Sequence, residues 1–243
     1  MKFNFYGTSH GLCDAHRACS CTLLTVGKNT YVFDAGTDLM AALNKNDIPL
    51  DTVKAIFVTH AHTDHTAGLP SFCDQITWYE PFHICNPEFY FPSKLVSIAI
   101  DSWRQMFHPE LISLRPELNY NLYSDGFVYE DEYIKISALR TEHINQSFGF
   151  LIEAEGKTIL YSGDIKYGFT DLPRLLGDRK YDLVVCEGAH HPVGTVNDLL
   201  SAIDTKSLVI NHVEPVRAQA MSILKDTVPF EFDIAFDGFI KEL

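Results

Sequence analysis

Nowhere does the 243-residue chain approach the roughly 18 consecutive apolar residues of a membrane-spanning helix. Its opening, Met1-Lys2-Phe3-Asn4-Phe5-Tyr6, alternates like a short strand and lacks the pattern of a secretory leader. Basic residues are scarce: 19 Lys and Arg stand against 32 Asp and Glu, a formal net charge of −13. A surface of that sign repels a polyanion, so extended nucleic acid is disfavoured as a partner. Low-complexity segments and short-period repeats are also missing. In a chain this long without a secretory segment, the six cysteines, Cys13, Cys19, Cys21, Cys73, Cys85 and Cys186, are expected to be thiols rather than a disulfide framework. What remains is a cytoplasmic enzyme with a small substrate and no membrane partner. Its pairing into a homodimer is left open. At 46% hydrophobic residues, a single domain over 1–243 can bury a full core.

What the chain does have is concentrated at His60-Ala61-His62-Thr63-Asp64-His65, where six residues carry four metal-capable side chains. The apolar run Ala55-Ile56-Phe57-Val58 precedes it, so a strand delivers the chain to a turn bearing the cluster. In extended chain, period-two alternation puts His60 and His62 on one side. Asp64 and His65 are adjacent, so they diverge and can face a second point. That pattern suits two metal ions rather than one, and differs from the helical His-Glu-x-x-His motif.

The same event recurs downstream. A strand over Tyr133–Leu139 runs to His143, Thr158–Tyr161 ends in Ser162-Gly163-Asp164, Leu183–Cys186 ends before His190-His191, and Ser207–Ile210 ends in Asn211-His212. Strand ends of an α/β sheet are where ligands bind. His60, His62 and His143 can hold one ion, and Asp64, His65 and His212 a second. Asp164 is the carboxylate suited to bridge. This nitrogen and oxygen set suits zinc and admits manganese or iron. Two such divalent ions make a hydroxide available near neutral pH, which is the chemistry of ester hydrolysis. Asp34, ending the strand Tyr31–Asp34, is a turn residue or an orienting partner of the ligands. The cluster Cys13-x-x-His16-x-x-Cys19-x-Cys21 holds zinc-capable types, while Cys21 also reads as a small core hydrophobe. Further expectations are helices over Thr37–Lys45 and Pro92–Phe107, a strand over Trp78–Cys85 and another over Ile234–Phe236. An aromatic-rich insertion of about 89–123 is either packed or a lid over the site.

In order and nearly end to end, Phe33-Asp34-Ala35-Gly36, Thr59-His60-Ala61-His62-Thr63-Asp64-His65, His143, Ser162-Gly163-Asp164 and Asn211-His212 resemble the metallo-β-lactamase-fold hydrolases. The resemblance implies an α/β fold, a four-layer αββα sandwich with a dinuclear site at one edge, and the ligand assignment above. Major-subclass β-lactamases use Cys where this chain has Asp164. Gly7-Thr8-Ser9, Ser147-Phe148-Gly149-Phe150-Leu151-Ile152 and Ala235-Phe236-Asp237-Gly238 are closest to the ribonuclease Z and cyclic phosphodiesterase branch. The long basic, glycine-rich arm with which ribonuclease Z grips tRNA has no counterpart in the sequence.

The leading expectation is therefore a phosphodiesterase acting on a small or cyclic phosphodiester through a metal-bridging hydroxide. The alternatives are a tRNA 3′ endonuclease, a lactone or thioester hydrolase and, outside catalysis, a metal-holding sensor or scaffold. The candidate catalytic residues are Asp64 and a proton donor, His190 or His191. The leaving alkoxide of a phosphodiester needs a proton, and His suits donation near neutrality.

Overall fold

Along Asn29–Phe33 every residue is buried, yet Tyr31 and Phe33 belong to one apolar cluster and Val32 to another. A strand covered on both faces reads as a continuous apolar run, and that pattern organises the whole molecule. The computed structural model describes residues 1–107, 109, 115–190 and 203–243. The first seven-stranded sheet contains β1 (Lys2–Gly7), β2 (Cys21–Val26), β3 (Asn29–Phe33), β4 (Val53–Phe57), β5 (Glu88–Phe91), β6 (Asn119–Leu122) and β14 (Phe239–Glu242). The second contains β7 (Gly126–Glu130), β8 (Ile134–Arg140), β9 (Phe148–Ala154), β10 (Lys157–Tyr161), β11 (Leu183–Glu187), β12 (Ser207–Asn211) and β13 (Glu231–Ile234). Their orders are β14-β1-β2-β3-β4-β5-β6 and β13-β12-β11-β10-β9-β8-β7. Each sheet is an antiparallel meander followed by three parallel steps, so the two halves of the chain repeat one topology.

The inner faces of the two sheets share a core that includes Phe3, Phe5, Phe33 and Phe57 from the first and Ile136, Phe150, Tyr161 and Val185 from the second. Helices cover the outer faces. On the first sheet lie α1 (Leu39–Lys45), α2 (Thr63–Thr66), α3 (Leu69–Trp78) and α4 (Lys94–Phe107). On the second lie α5 (Leu172–Leu176) and α6 (Pro215–Ser222). This is the four-layer αββα sandwich. The Asp38 carboxylate caps α1, accepting from the Ala41 N–H at 2.9 Å. Among the described residues no helix is long and apolar enough to cross a membrane.

Three expectations need correction. No strand forms over Trp78–Cys85: α3 runs to Trp78, a 3₁₀ turn follows at Glu80–Phe82, and the strand comes at β5. Leu69, Phe72, Cys73 and Ile76 recur at helical spacing and are buried, while Pro81 has no N–H for a sheet ladder. The stretch of about 89–123 is no appended insertion. It supplies β5, α4 and β6, a parallel extension of the first sheet in which Phe89 and Phe91 pack outward and Tyr90 inward. Part of it, residues 108 and 110–114, lies outside the described residues. Near the C-terminus the strand is Glu231–Ile234 rather than Ile234–Phe236, and β14 follows after Gly238 turns at φ +89°.

Candidate metal centre

Parallel strands all end at one edge of a sheet, and here the donors collect at that edge. β3 ends in Asp34, held at φ +60°, where a non-glycine residue is strained. Its carboxylate accepts from the Thr59 N–H at 2.8 Å and pairs with Nδ1 of His65 at 2.8 Å. Asp34 thus closes the turn after β4 and also fixes one donor, both roles that its position allowed. Gly36 passes so close to the Asp64 backbone carbonyl that a Cβ would collide with it, which accounts for the glycine of that motif. Gly163 turns at φ +57° directly before Asp164. His212 is itself held at φ +49°.

The ring of His62 connects His60 and His143: its Nδ1 lies 2.9 Å from His60 Nε2 and 3.2 Å from His143 Nε2. Nitrogens bound about 2.0–2.1 Å from one tetrahedral zinc stand roughly 3.3 Å apart, so this spacing is compatible with a ligand set. Asp164 Oδ2 lies 3.8 Å from His60 Nε2 and 3.7 Å from His143 Nε2. In a second group, His65 Nε2 is 3.4 Å from Asp64 Oδ2, and His212 Nε2 is 3.8 Å from the same oxygen. Asp164 reaches this group as well, Oδ1 lying 3.4 Å from His65 Nε2 and Oδ2 3.4 Å from His212 Nε2. Within each of the sets His60, His62, His143, Asp164 and Asp64, His65, His212, the donor atoms lie within 4.8 Å of one another. His65 Nε2 and Asp164 Oδ1 are buried with no hydrogen-bond partner. Orphaned polar atoms of that kind are costly, and a divalent cation held there would satisfy both. The residues therefore fit the metal ions that the fold implies.

The surroundings set protonation. Burial, reinforced by neighbouring His65, pushes His60 down to about 2, so its imidazole is neutral and able to ligate. Burial lowers His143 as well, against the pull of Asp164. Burial would raise Asp164, but His212 and His65 hold it well below the usual carboxylate range. Burial likewise disfavours a proton on His65, yet the Asp164 and Asp34 carboxylates hold it well above the ordinary imidazole value. Ser20 Oγ pairs with Nδ1 of His212 at 2.9 Å, and Thr59 Oγ1 with Nδ1 of His60 at 3.1 Å. In both rings this leaves Nε2 turned to the donors.

His190 follows β11, with Nδ1 2.8 Å from Glu187 Oε1 and 3.9 Å from Asp164 Oδ2. Its ring centroid lies 4.5 Å from that of His143. Burial opposes a proton on it, but the Glu187 hydrogen bond and charge prevail and raise its pKa. His191 lies outside the described residues. Glu187 was not singled out from sequence. It is buried, and it also accepts from the Ile165, Ala189 and His190 N–H groups, tying the Asp164 loop to the His190 loop. Its position at a strand end, like that of Asp164 and His212, was the available signal. Ser20 gave none. Among the described residues, no three of Cys13, His16, Cys19 and Cys21 gather: Cys19 meets Cys13, but Cys21 is buried on β2 in the outer core, and all six cysteines are free.

A family model for the anti-Pycsar protein Apyc1 matches residues 1–203. Among curated proteins, the chain is 27% identical over 239 residues to a ribonuclease Z from Exiguobacterium sp., spanning 95% of this chain and 70% of that one. It is 24% identical over 161 residues to the ribonuclease Z of Halalkalibacterium halodurans, spanning 65% of this chain and only 50% of the relative. Among solved structures, human tRNase Z, short form, superposes with a TM-score of 0.76 at 21% identity, covering 100% and 99% of the two chains. The metallo-β-lactamase fold protein YhfI from Bacillus subtilis gives 0.74 at 18% identity, covering 99% of each. These likenesses carry the fold, and the family match and donor set carry the chemistry: the chain belongs to the anti-Pycsar protein Apyc1 family and is a metal-dependent hydrolase of the metallo-β-lactamase fold.

Proposed function

We propose that the protein hydrolyses a small phosphodiester, a cyclic nucleotide first among them, using two divalent cations, with zinc the best match to the donors. The observation that carries this reading is the pair of donor groups sharing Asp164, in a chain that matches a family of cyclic-nucleotide phosphodiesterases. His60, His62, His143 and Asp164 would hold one cation, and Asp64, His65, His212 and Asp164 the other. Cations there would lower the pKa of a water toward neutrality and offset charge on the phosphate.

The remaining work falls to the chain. Asp34, Ser20 and Thr59 hold the tautomers of His65, His212 and His60. Burial works against ionised Asp64, but His65 beside it more than compensates, so Asp64 remains a carboxylate able to orient the attacking water. Glu187 keeps a proton on His190 at Nδ1, leaving Nε2–H free to protonate the departing alkoxide. A cytoplasmic setting agrees with the six free thiols. Pairing as a homodimer would cover the exposed apolar residues Ile98 and Met106 of α4.

Ribonuclease Z-like cleavage of tRNA is the second reading, favoured by the names of the curated relatives. The charge of −13 and the missing basic arm weigh against it.

The test compares His190→Ala with the parent enzyme on two substrates. On a cyclic nucleotide, whose alkoxide leaves poorly, the variant should keep its metals and lose roughly two to four orders of magnitude in rate. On bis-p-nitrophenyl phosphate, whose leaving group needs no proton, the loss should be far smaller. Equal losses, or loss of metal, would remove His190 from the role. Steeply salt-dependent tRNA binding with 3′-end cleavage would promote the second reading.

A further inference from the structure

His143 is held differently from three of the other ring donors. In His60, His65 and His212 a side chain meets Nδ1: Thr59, Asp34 and Ser20 respectively. Among the described residues none does so for His143, whose hydrogen-bond contact is Nε2 to His62 at 3.2 Å. Its ring is therefore placed through its backbone. His143 lies in the turn from β8 to β9, closed at its base by the Thr141 N–H donating to the Ser147 carbonyl at 2.8 Å. The next backbone donor, Glu142 N–H, points out of the turn and donates to Asp171 Oδ2 at 2.8 Å.

Asp171 stands directly before α5 and is 2% exposed. An Asp in that position ordinarily caps its own helix, but this carboxylate makes no cap bond. Its Oδ1 accepts instead from the Lys166 N–H at 3.2 Å, on the loop that carries Asp164. One buried carboxylate thus joins the turn of His143 to the loop of Asp164. These two donors face each other across the first group, His143 Nε2 lying 3.7 Å from Asp164 Oδ2. A second link between the same segments, Lys166 Nζ to Glu142 Oε2 at 2.9 Å, is half exposed at both ends, and such pairs contribute little. We propose that Asp171 is a positioning residue of the centre, fixing His143 against Asp164 as Asp34 fixes His65. The proposal rests on the two-cation reading and extends it to the backbone that carries the first group.

Asp171→Asn keeps the shape and one accepting oxygen. The matched control is Asp182→Asn. Asp182 also joins two segments, accepting from the Thr158 N–H at 2.9 Å and from Lys206 Nζ at 2.7 Å, at the ends of β10 and β11 away from the donors. Metal-stripped parent and variants are titrated with zinc against a competing chelator, and thermal unfolding is recorded. Asp171→Asn should weaken the same zinc position as His143→Ala, by roughly 10–100-fold, and leave the other within about threefold. Asp182→Asn should lower Tm to a similar degree with both affinities unchanged. Equal weakening of both positions by Asp171→Asn, or a lowered Tm with both affinities intact, would make Asp171 merely structural and overturn the proposal. Two NMR readouts on the metal-free protein need no cation. In the parent, the Glu142 and Lys166 amides should resist hydrogen exchange although both lie in loops. In Asp171→Asn, the His143 ring signals should shift while those of His212 stay. Fast exchange of both amides in the parent would overturn the proposal without any variant, and so would an unmoved His143 ring. If the parent takes up fewer than two zinc ions, the two-cation reading fails, and the metal-free readouts still decide the role of Asp171.

Discussion

The two donor groups meet water differently. In the first, His62 is exposed and His143 only partly covered; in the second, Asp64, His65 and His212 are all buried. The first is assembled from loops after three different strands, and none of its residues has a positive φ. The second depends on strained backbone: His212 at φ +49°, and Asp34, which holds His65, at φ +60°. Their charge states differ too. His60, driven down to about 2 by burial and by His65, is neutral and ready for a cation. His65 carries a proton between Asp34 and Asp164 that a cation must displace. The two proposed positions, sharing one carboxylate, would thus fill under different conditions: access would govern the first, and proton release the second.

The sharpest way to break that comparison is to remove what the groups share. Asp164→Ala should cost on the order of a thousandfold or more in phosphodiester turnover, and metal analysis should show depletion of both positions. Full retention of one cation would mean that Asp164 belongs to a single group. Next in size is the contrast of pH. The raised pKa of His65 means that acid restores its proton, so the second cation should be lost first as pH falls, while the first remains until the carboxylates protonate. Metal titrations at about pH 8 and about pH 5.5 should show two equivalents and then one. Parallel loss of both would erase the proposed difference. The smallest effect is Asp34→Asn, which keeps the shape and weakens the grip on His65. It should lower affinity at the second position by roughly 10–100-fold and leave the first nearly untouched.

These contrasts also show where sequence reading works. His60, His62, Asp64 and His65 are compressed into six residues, and period-two chain sends His60 and His62 together, so the cluster was visible. The sandwich was legible through its motifs and through strands that stop at a His or Asp. The supporting shell was much less so. Glu187 touches His190 and Ser20 touches His212 only because separate strands end side by side, and sheet order cannot be derived from local periodicity. The segment Trp78–Cys85 failed for a local reason: its aromatic residues suit a strand, but the helical spacing upstream and Pro81 outweighed them. α4 shows the opposite limit. Its apolar residues make a broad apolar face, of which only part packs, with Val96 and Ile100 inward and Leu95, Ile98 and Met106 exposed.

Seven side chains are proposed to form two cation positions joined by Asp164. The most direct measurement is native mass spectrometry of metal-stripped protein titrated with zinc near pH 8. Two tightly held ions per chain are expected, the first bound to neutral imidazoles and the second accompanied by proton release. Saturation at one ion per chain under excess zinc would contradict it.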